Sequence, residues 1–261
     1  MTARDEDVEA EVQVTCEDGV AVLEIRRPPS NFFDEHLIGR LVDAAAELDE
    51  DPACRAIVLC SQGRHFCAGA MLAEGSVAER TTMAERLYGR AVGLFELRTP
   101  LIAAVQGAAV GGGLGLACAA DFRVADVDAR FVANFAVLGF HQGFGLSVTL
   151  PEIVGGQVAG DLLMRGGSLG GEDAHAAGLV DRLAPPGRQR EIALAWATEF
   201  AAAAPLAVAS IKQTLRGDRA GRVRAALDRE LSEQARLWAT EDAEEGIAAA
   251  RQRRAPIFRS R

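Results

Sequence analysis

Hydrophobic and polar positions follow two different spacings along the first half of the chain. Residues 12–25 alternate on either side of an Asp-Gly dipeptide, which is typical of two strands joined by a tight turn. Apolar residues at helical spacing follow from 37 to 48, with Asp34 as the candidate N-cap. Short apolar runs at 57–60 and 101–105 then predict buried strands. Strands that alternate with helices in this way indicate a βαβ-type core.

The pattern becomes helical after Gly155. Two long amphipathic stretches, at 190–215 and 223–253, are separated by a glycine-containing break and carry no strand signal. We therefore divide the chain into a core at 1–194 and a helical C-terminal appendix at 195–261. A helical lobe that folds as a domain of its own is the alternative.

Length and composition fit one sizeable globular core, with 261 residues, 49% of them apolar and 25% charged. The net charge of −9, without any basic stripe interleaved with aromatic residues, argues against a nucleic-acid partner. The five cysteines are scattered without zinc-ligand spacing, so we expect reduced thiols and no metal site. Residues 1–11 are acidic and lack a signal-peptide core, and no uninterrupted apolar stretch reaches membrane-spanning length. We expect a cytoplasmic protein with no membrane partner.

The most informative motif is the glycine-rich run at 106–116, which follows the apolar strand at 101–105 and opens a helix-like stretch. Adjacent glycines at 111–113 let the backbone turn sharply and approach a ligand closely. Because the first amides of a helix lack intrahelical acceptors and carry positive potential, this turn can hold an oxyanion. A plain tight turn packed against a neighbour is the alternative. A dinucleotide fingerprint is disfavoured, because its third glycine position holds Leu116 and its acidic position falls near Ala133.

Further segments along nearly the whole chain carry a family resemblance. The sequence Phe-Cys-Ala-Gly-Ala at 66–70 follows a predicted strand about forty residues before the glycine run. The other segments lie, in chain order, at 27–34, 98–105, 121–125, 166–180 and 244–258. Together and in this order they resemble the motifs of the enoyl-CoA hydratase/isomerase (crotonase) superfamily.

The resemblance implies an α/β fold, with a crotonase-like ββα spiral core and a helical C-terminal region that builds a homotrimer or homohexamer. It implies an acyl-CoA thioester as the substrate, with coenzyme A as part of that substrate and no separate cofactor. In the family the thioester carbonyl lies between two backbone N–H groups, which correspond here to Ala70 and Gly112. Backbone donors aimed at a developing enolate oxygen contribute about 3–4 kcal/mol each.

The same resemblance assigns residues to coenzyme A. The adenine pocket would be lined by His65, Phe66 and Ala68. Relatives often carry a basic residue three positions beyond the first oxyanion residue, and that position is Ala73 here. We therefore expect Arg27 or Arg64 to supply part of the phosphate grip. A solvated surface arginine is the alternative for each.

The chain departs from the hydratase pattern at two positions. Hydratases of the family carry two glutamates that position water and exchange its protons, and these positions correspond here to Gly115 and Phe135. Neither residue can hold or transfer a proton, and such groups contribute about 10²–10⁴-fold each. We therefore expect hydration by the usual mechanism to be largely lost, and we expect Gly115 to enlarge the acyl pocket.

His141 is the candidate for proton transfer near this pocket. It lies in segment 134–145, which the resemblance places around the acyl group, and imidazole side chains titrate near neutral pH. A hydrogen-bonded structural histidine is the alternative. The remaining pocket residues that the resemblance implies are Gly111, Gly115, Asn134, Phe135, Phe140 and Gly143.

Three functions stay open on these residues, because all three reuse the same oxyanion hole. The first is an enoyl-CoA hydratase/isomerase-like enzyme that stabilises a thioester enolate, with weak or absent hydration. The second is decarboxylation, since segment 133–151 also resembles crotonase-fold decarboxylases, in which loss of CO₂ generates the enolate directly. The third is acyl-CoA binding without catalysis.

Overall fold

The computed structural model describes residues 11–71 and 75–261, and it has the α/β architecture that the sequence predicts. The strands are β1 (Val12–Glu17), β2 (Val20–Ile25), β3 (Ala56–Ser61), β4 (Leu101–Val105), β5 (Ala108–Val110), β6 (Phe122–Asp126), β7 (Arg130–Val132), β8 (Ser168–Gly170) and β9 (Arg182–Ala184). The helices are α1 (Glu35–Glu50), α2 (Val77–Ala91), α3 (Gly112–Ala119), α4 (Leu146–Arg165), α5 (Gly171–Ala176), α6 (Gln189–Ala201), α7 (Pro205–Arg216), α8 (Arg219–Trp238) and α9 (Glu241–Gln252).

A six-stranded sheet forms one layer of the core, in the order β1-β2-β3-β4-β6-β9. β1 pairs antiparallel with β2, and the later pairs are parallel. A smaller sheet has the order β5-β7-β8, with β5 parallel to β7 and β8 antiparallel to it. Every residue of β3 and β4 is buried, as expected for parallel strands covered on both faces.

The elements predicted in the first half are confirmed. The hairpin turns at Asp18, which adopts a positive φ of 50°. α1 begins after Asp34, whose side chain accepts a 2.9 Å hydrogen bond from the Leu37 N–H. α3 begins at Gly112, two residues earlier than the sequence indicates, because Gly111 adopts a φ of 54° and forms the N-cap.

Helix α6 packs on the larger sheet, so the predicted boundary between residues 194 and 195 falls inside a core helix. Its buried alanines are Ala193, Ala197 and Ala201. They recur every fourth residue and lie in one apolar cluster with residues of β3, β4 and β6. Trp196 adds a ring contact with Phe122 of β6, at 4.9 Å between centroids. The helical appendix therefore begins at α7 rather than within α6.

The two amphipathic stretches predicted near the C-terminus are each divided into two helices. Pro205 begins α7 at a position where a proline cannot continue α6. α7 has no buried residue, and charges tie it to the core. Lys212 Nζ lies 2.8 Å from one carboxylate oxygen of Asp121, and Arg216 pairs with the other.

The described residues contain no helix that is long and apolar enough to cross a membrane alone. α6 and α7 meet the length and composition of a span only when they are taken together, across a bend of 106°. Within the same residues no three His, Cys, Asp or Glu side chains cluster as metal ligands. All five cysteines are free, with Cys16 exposed and the others buried.

Candidate functional site

A cavity of about 340 Å³ opens beside the N-terminus of α3. Residues 32–35 and 68–71 form part of its wall, and the turn at 110–112 forms another part. α2, α8 and residues within 134–144 complete the lining, which is mostly apolar. A concave apolar cavity with a few polar groups is the ordinary form of a small-molecule site.

The glycine wall, residues 107–115, lies in backbone contact with the stretch 64–70. The Cys67 N–H donates a 3.0 Å hydrogen bond to the Ala108 carbonyl oxygen. A Cβ atom on Gly113 would lie only 2.1 Å from the Cys67 carbonyl oxygen. Because any side chain at this position would overlap the backbone, glycine is what allows the two segments to approach so closely.

This approach brings Ala70 and Gly112 to the lining of the same cavity. A Cβ atom on Gly69, the residue before Ala70, would lie 3.7 Å from the Gly112 nitrogen. Gly112 is the first residue of α3, so its N–H has no acceptor within the helix. Across residues 11–71 and 75–261, neither N–H has a hydrogen-bond partner. The α3 dipole adds positive potential, so this pair can receive an oxygen that gains negative charge.

Phe33 holds both amides in position. Its N–H donates to the Gly69 carbonyl oxygen at 3.0 Å, and its own carbonyl oxygen accepts from the Met71 N–H at 2.8 Å. Its ring packs on Gly112, where an added Cβ atom would lie 2.5 Å from the ring Cζ. Phe33 is itself buried. One aromatic side chain therefore fixes the strand-like segment that carries Ala70 and supports the start of α3.

Aromatic rings form the side of the cavity near residues 134–144. Phe135 is buried and packs edge-on against Phe140, with ring centroids 6.1 Å apart. Phe140 packs in turn against Trp238 of α8, at 6.0 Å. Phe135, which the resemblance assigns to the position of a hydratase glutamate, thus belongs to an apolar wall.

Gly115 does not enlarge the cavity, so that expectation from the sequence is wrong. A Cβ atom on Gly115 would lie 2.5 Å from the Phe144 Cβ. Phe144 is buried, and its ring lies 5.4 Å from the Phe33 ring. The backbone of Phe144 is left-handed, with a φ of 59°. The Phe144 side chain therefore fills the space that a side chain at 115 would need.

The helix α2 contributes one continuous face to the cavity. This face, the α2 wall, consists of Arg80, Met83, Ala84, Leu87 and Tyr88. The spacings of three and four residues place these side chains on the same side of the helix. The Tyr88 hydroxyl donates a 2.9 Å hydrogen bond to Gln234 Oε1. Arg80 Nε is buried and has no hydrogen-bond partner within the described chain.

Two carboxylates, Asp34 and Glu35, also line the cavity. Asp34 is already engaged, because it caps α1 and lies 2.9 Å from Arg27 Nη1. Burial acts against its ionisation, but the hydrogen bonds from the Leu37 N–H and Arg27 outweigh burial and lower its pKa. Asp34 is therefore a charged structural group and not a proton carrier at neutral pH.

The helix α8 holds segment 143–147 through buried polar side chains. Glu230 accepts hydrogen bonds from the Gly145 and Ser147 N–H groups, each at 2.9 Å. Burial raises the pKa of Glu230, while the hydrogen bonds from these two residues act in the opposite direction. Gln234 lies one helical turn later, where it meets Tyr88. The loop that borders the cavity is therefore anchored to α8.

The structure brings together eight of the residues that the sequence assigns to a site. Those that line the cavity are Ala68, Ala70, Gly111, Gly112, Asn134, Phe135, Phe140 and Gly143. Those that do not are Arg27, Arg64, His65, Phe66, Gly115 and His141. The Phe66 side chain is fully buried in the core, and His65 Nδ1 is buried without a hydrogen-bond partner among the described residues. Ala73 lies outside the described residues.

Arg27 is held by acidic side chains. Its Nε and Nη2 donate to the Glu11 carboxylate at 2.6 and 2.8 Å, and its Nη1 lies 2.9 Å from Asp34. Two carboxylates therefore already balance its charge, which weakens the case for Arg27 as a phosphate ligand. Arg64 is exposed on the loop after β3. Its role as a phosphate ligand stays a prediction.

His141 is tied to neighbouring backbone. Its Nδ1 lies 2.9 Å from the Gln142 carbonyl oxygen, and its own carbonyl oxygen accepts a 3.0 Å hydrogen bond from Gln234 Nε2. The imidazole is half-buried outside the cavity lining. This geometry favours the structural alternative for His141.

The sequence analysis missed the polar residues of α2 and α8. Tyr88 is the only tyrosine in the chain, and it follows Ala84 and Leu87 on one helical face, so a signal was present. Glu230 and Gln234 gave no such signal, because α8 is rich in charged residues along its whole length. Their burial depends on a loop that lies far away in sequence.

Comparisons with known proteins agree with this geometry. A family model described as Enoyl-CoA hydratase/isomerase matches residues 15–261. A putative enoyl-CoA hydratase of Thermus thermophilus is 38% identical over 256 residues, covering 92% of this chain and 97% of that protein. The 2,3-dehydroadipyl-CoA hydratase of Escherichia coli is 34% identical and covers 97% of this chain and 100% of its own length. The crystal structure of an enoyl-CoA hydratase/isomerase from Pseudoalteromonas atlantica T6c matches with a TM-score of 0.84 and 30% identity, covering 96% of this chain and 100% of that one.

Proposed function

The chain belongs to the enoyl-CoA hydratase/isomerase family, and we propose that its cavity binds an acyl-CoA thioester and stabilises the thioester enolate. The membership confirms the resemblance carried by the motifs and the crotonase-type fold that it implies. Coenzyme A enters as part of the substrate, so the proposed chemistry needs no separate cofactor. Backbone and side chains of the cavity supply the catalysis.

The unpartnered amides of Ala70 and Gly112 carry this proposal. Both residues line the cavity, Gly112 begins α3 at its positive end, and neither N–H has an acceptor among the described residues. When a proton or CO₂ leaves the carbon beside a thioester, negative charge builds on the carbonyl oxygen. Fixed N–H donors stabilise that charge without reorganising, and each contributes about 3–4 kcal/mol.

Hydration of an enoyl thioester is weak or absent in this proposal. Adding water needs a group that takes a proton from water and a group that delivers one to carbon. Position 135 is a phenylalanine, and position 115 is a glycine covered by Phe144. Asp34 is committed to Arg27 and to the cap of α1.

Decarboxylation is the second candidate, and the aromatic wall favours it. Loss of CO₂ from a malonyl-type thioester, whose carboxylate lies on Cα, leaves the electron pair of the broken bond as the enolate, so the step needs oxyanion donors but no base. An apolar wall formed by Phe135, Phe140 and Trp238 disfavours a bound carboxylate relative to neutral CO₂. Acyl-CoA binding without catalysis is the third candidate, and it predicts tight binding with no turnover.

The decisive experiment removes one donor from the proposed oxyanion hole. Proline has no N–H, so Ala70→Pro deletes the donor, whereas Ala70→Gly retains it and serves as the matched control. Acetoacetyl-CoA is the probe, because its enolate absorbs in the ultraviolet and can be measured at equilibrium. We expect the bound enolate to be formed by the native protein and by Ala70→Gly, and to fall about 10²-fold or more in Ala70→Pro.

Equal enolate absorption in Ala70→Pro and Ala70→Gly would refute the oxyanion hole. Turnover then separates the candidate reactions. Crotonyl-CoA tests hydration through the loss of its conjugated absorption, and malonyl-CoA tests decarboxylation through CO₂ release. Rapid hydration of crotonyl-CoA would show that a group other than positions 115 and 135 activates water.

We further propose that the chain assembles as a homotrimer or homohexamer. α7 buries none of its residues, and it exposes Leu206 and Leu215 at 86% and 81% of their surface. Apolar side chains presented in this way are typical of an interface. Light scattering of the native protein and of Leu206→Glu/Leu215→Glu tests this, and we expect smaller assemblies from the double variant.

A further inference from the structure

A second cavity lies directly behind the aromatic side of the first one. This second cavity, the outer cleft, has a volume of about 440 Å³. It is formed by residues within 136–140, the end of α8, the start of α9 and residues within 258–261. Among the described residues, Phe140 alone lines both the first cavity and the outer cleft. The partition between them is therefore one residue thick at position 140.

A row of aromatic rings leads from the glycine wall to this partition. Phe135 lies beside the turn that precedes α3, because a Cβ atom on Gly111 would lie 3.7 Å from its ring Cζ. The Phe140 ring follows, with its centroid 6.1 Å from that of Phe135, and Trp238 packs against Phe140 at 6.0 Å. An acyl chain that follows these rings away from the two amides reaches Phe135 first and Phe140 next.

The partition at Phe140 is fixed by its backbone as well as by its ring. The Phe140 N–H donates a 3.2 Å hydrogen bond to the Phe135 carbonyl oxygen. The preceding residue, Gly139, has a φ of 81°, and a Cβ atom there would lie 2.6 Å from the Asp242 carbonyl oxygen of α9. The Phe140 side chain is buried, and both neighbouring rings contact it edge-on. The turn that carries Phe140 thus lies against the backbone of α9, so the partition is rigid.

The outer cleft contains apolar surface beyond the partition. Ala136, Leu237 and Phe258 line it. It also contains charged side chains that are paired with one another, such as Arg261, whose Nε lies 2.8 Å from a Glu241 carboxylate oxygen. A chain that extended past position 140 would therefore find further apolar atoms to contact. The Phe140 ring is the group that stands between the first cavity and this surface.

We propose that Phe140 sets the upper length of the acyl group, so that the cavity accepts short apolar acyl chains. The proposal rests on the enolate stabilisation proposed above, whose backbone amides leave the acyl group open. Phe140 takes no part in the chemical step and determines specificity alone. Each methylene that becomes buried strengthens binding about fourfold, so lengthening the chain should improve affinity only until its end meets Phe140.

A series of saturated acyl-CoA thioesters, from butyryl-CoA to dodecanoyl-CoA, tests this length limit by calorimetric titration. We expect the affinity of the native protein to rise with chain length and then to level off or fall within the series. In Phe140→Ala the rise should continue for about two further methylenes, which increases the affinity for the longer chains about tenfold or more. The affinity for butyryl-CoA should change little, since a short chain ends before position 140.

The same truncation on the far side of the partition is the matched control. Phe258 lines the outer cleft and not the first cavity, so Phe258→Ala should keep the native length limit. Phe140→Leu retains an apolar side chain and serves if Phe140→Ala fails to fold. It should move the limit in the same direction by a smaller amount. Thermal unfolding shows which variants are folded.

The length series can contradict the proposal in three ways. An unchanged limit in the folded Phe140 variant, or an equal shift in Phe258→Ala, would overturn the role of Phe140. A native affinity that rises without a limit through dodecanoyl-CoA would overturn it as well. A failure of the enolate proposal is recognised separately, because the bound acetoacetyl-CoA enolate would then be insensitive to Ala70→Pro whatever the length series shows.

Discussion

The glycine wall and the α2 wall line the same cavity by different means. The glycine wall presents backbone, and its residues are fixed by contacts such as that between Gly113 and the Cys67 carbonyl oxygen. The α2 wall presents side chains, and Gly89 of the same helix has open space around it. In the glycine wall an added side chain would overlap neighbouring atoms, whereas the α2 wall is formed by the side chains that it carries.

The difference shows where generality and specificity reside in this cavity. Backbone amides at Ala70 and Gly112 can stabilise an enolate whatever acyl group is attached. Side chains such as Arg80 and Tyr88 line the same cavity, so under the proposed function they would meet the remainder of the ligand. Substitutions in the glycine wall and on α2 therefore test this difference directly.

The largest effect is expected from a methyl group placed in the glycine wall, compared with one placed on the exposed side of α2. Gly113→Ala forces a Cβ atom against the Cys67 backbone and should lower the free energy of unfolding by about 3 kcal/mol. Gly89→Ala meets nothing within 4 Å and should raise it by about 1 kcal/mol through helix propensity. Denaturant unfolding of both variants provides the measurement. Equal effects would remove the distinction between the walls.

Restoring a glutamate to the glycine wall should fail for steric reasons. Gly115→Glu should destabilise the protein and leave crotonyl-CoA unhydrated, because Phe144 occupies the space. The double variant with Phe144→Ala should be more stable than the sum of the single effects predicts, by about 1–3 kcal/mol. Thermal unfolding and the crotonyl-CoA absorbance assay measure this coupling. Additive effects would contradict the packing described for Phe144.

A smaller effect is expected where the α2 wall carries a charge. Arg80 Nε is buried without a partner in the described chain, so a bound thioester can supply the missing acceptor. Arg80→Met should weaken butyryl-CoA binding about tenfold, the value of one hydrogen bond to a charged group. Arg86→Met, on the exposed side of the same helix, is the control. If calorimetry finds equal affinity for both variants, Arg80 does not hydrogen-bond to the bound thioester.

The smallest effect concerns the stability of the α2 wall at high pH. The pKa of Tyr88 is raised above its ordinary value of 10.0, mainly by burial. Above pH 10 the unfolded chain loses this proton first and so binds fewer protons than the folded one, and stability falls as the pH rises. The slope is at most about 1.4 kcal/mol per pH unit. Tyr88→Phe should show a shallower alkaline decline in unfolding experiments, although the buried cysteines add the same trend to both proteins.

The glycine wall could be predicted from the sequence because its chemistry belongs to the backbone. Strand, glycines and helix are adjacent in the chain, so the oxyanion-binding turn at Gly112 could be proposed from the sequence. The family resemblance added Ala70 and Phe135, and all three residues line the cavity. The shape of the cavity at Gly115 could not be predicted, because it depends on the conformation of Phe144 in a distant loop.

The polar chemistry of the α2 wall was missed because it arises from long-range pairing. Tyr88 and Gln234 lie 146 residues apart and meet only when α2 and α8 pack together. His141 seemed the better proton carrier by residue type, but its ring is tied to the Gln142 backbone. Residue type alone could not show that Tyr88 lines the cavity and that His141 does not.

The contact between Gly115 and Phe144 also constrains how this protein can change over generations. A single substitution that brings a carboxylate to position 115 meets a ring already in that space. A single substitution that removes the ring leaves a void in the core. Each substitution on its own lowers stability, so a glutamate at position 115 and a smaller residue at position 144 would have to be acquired together.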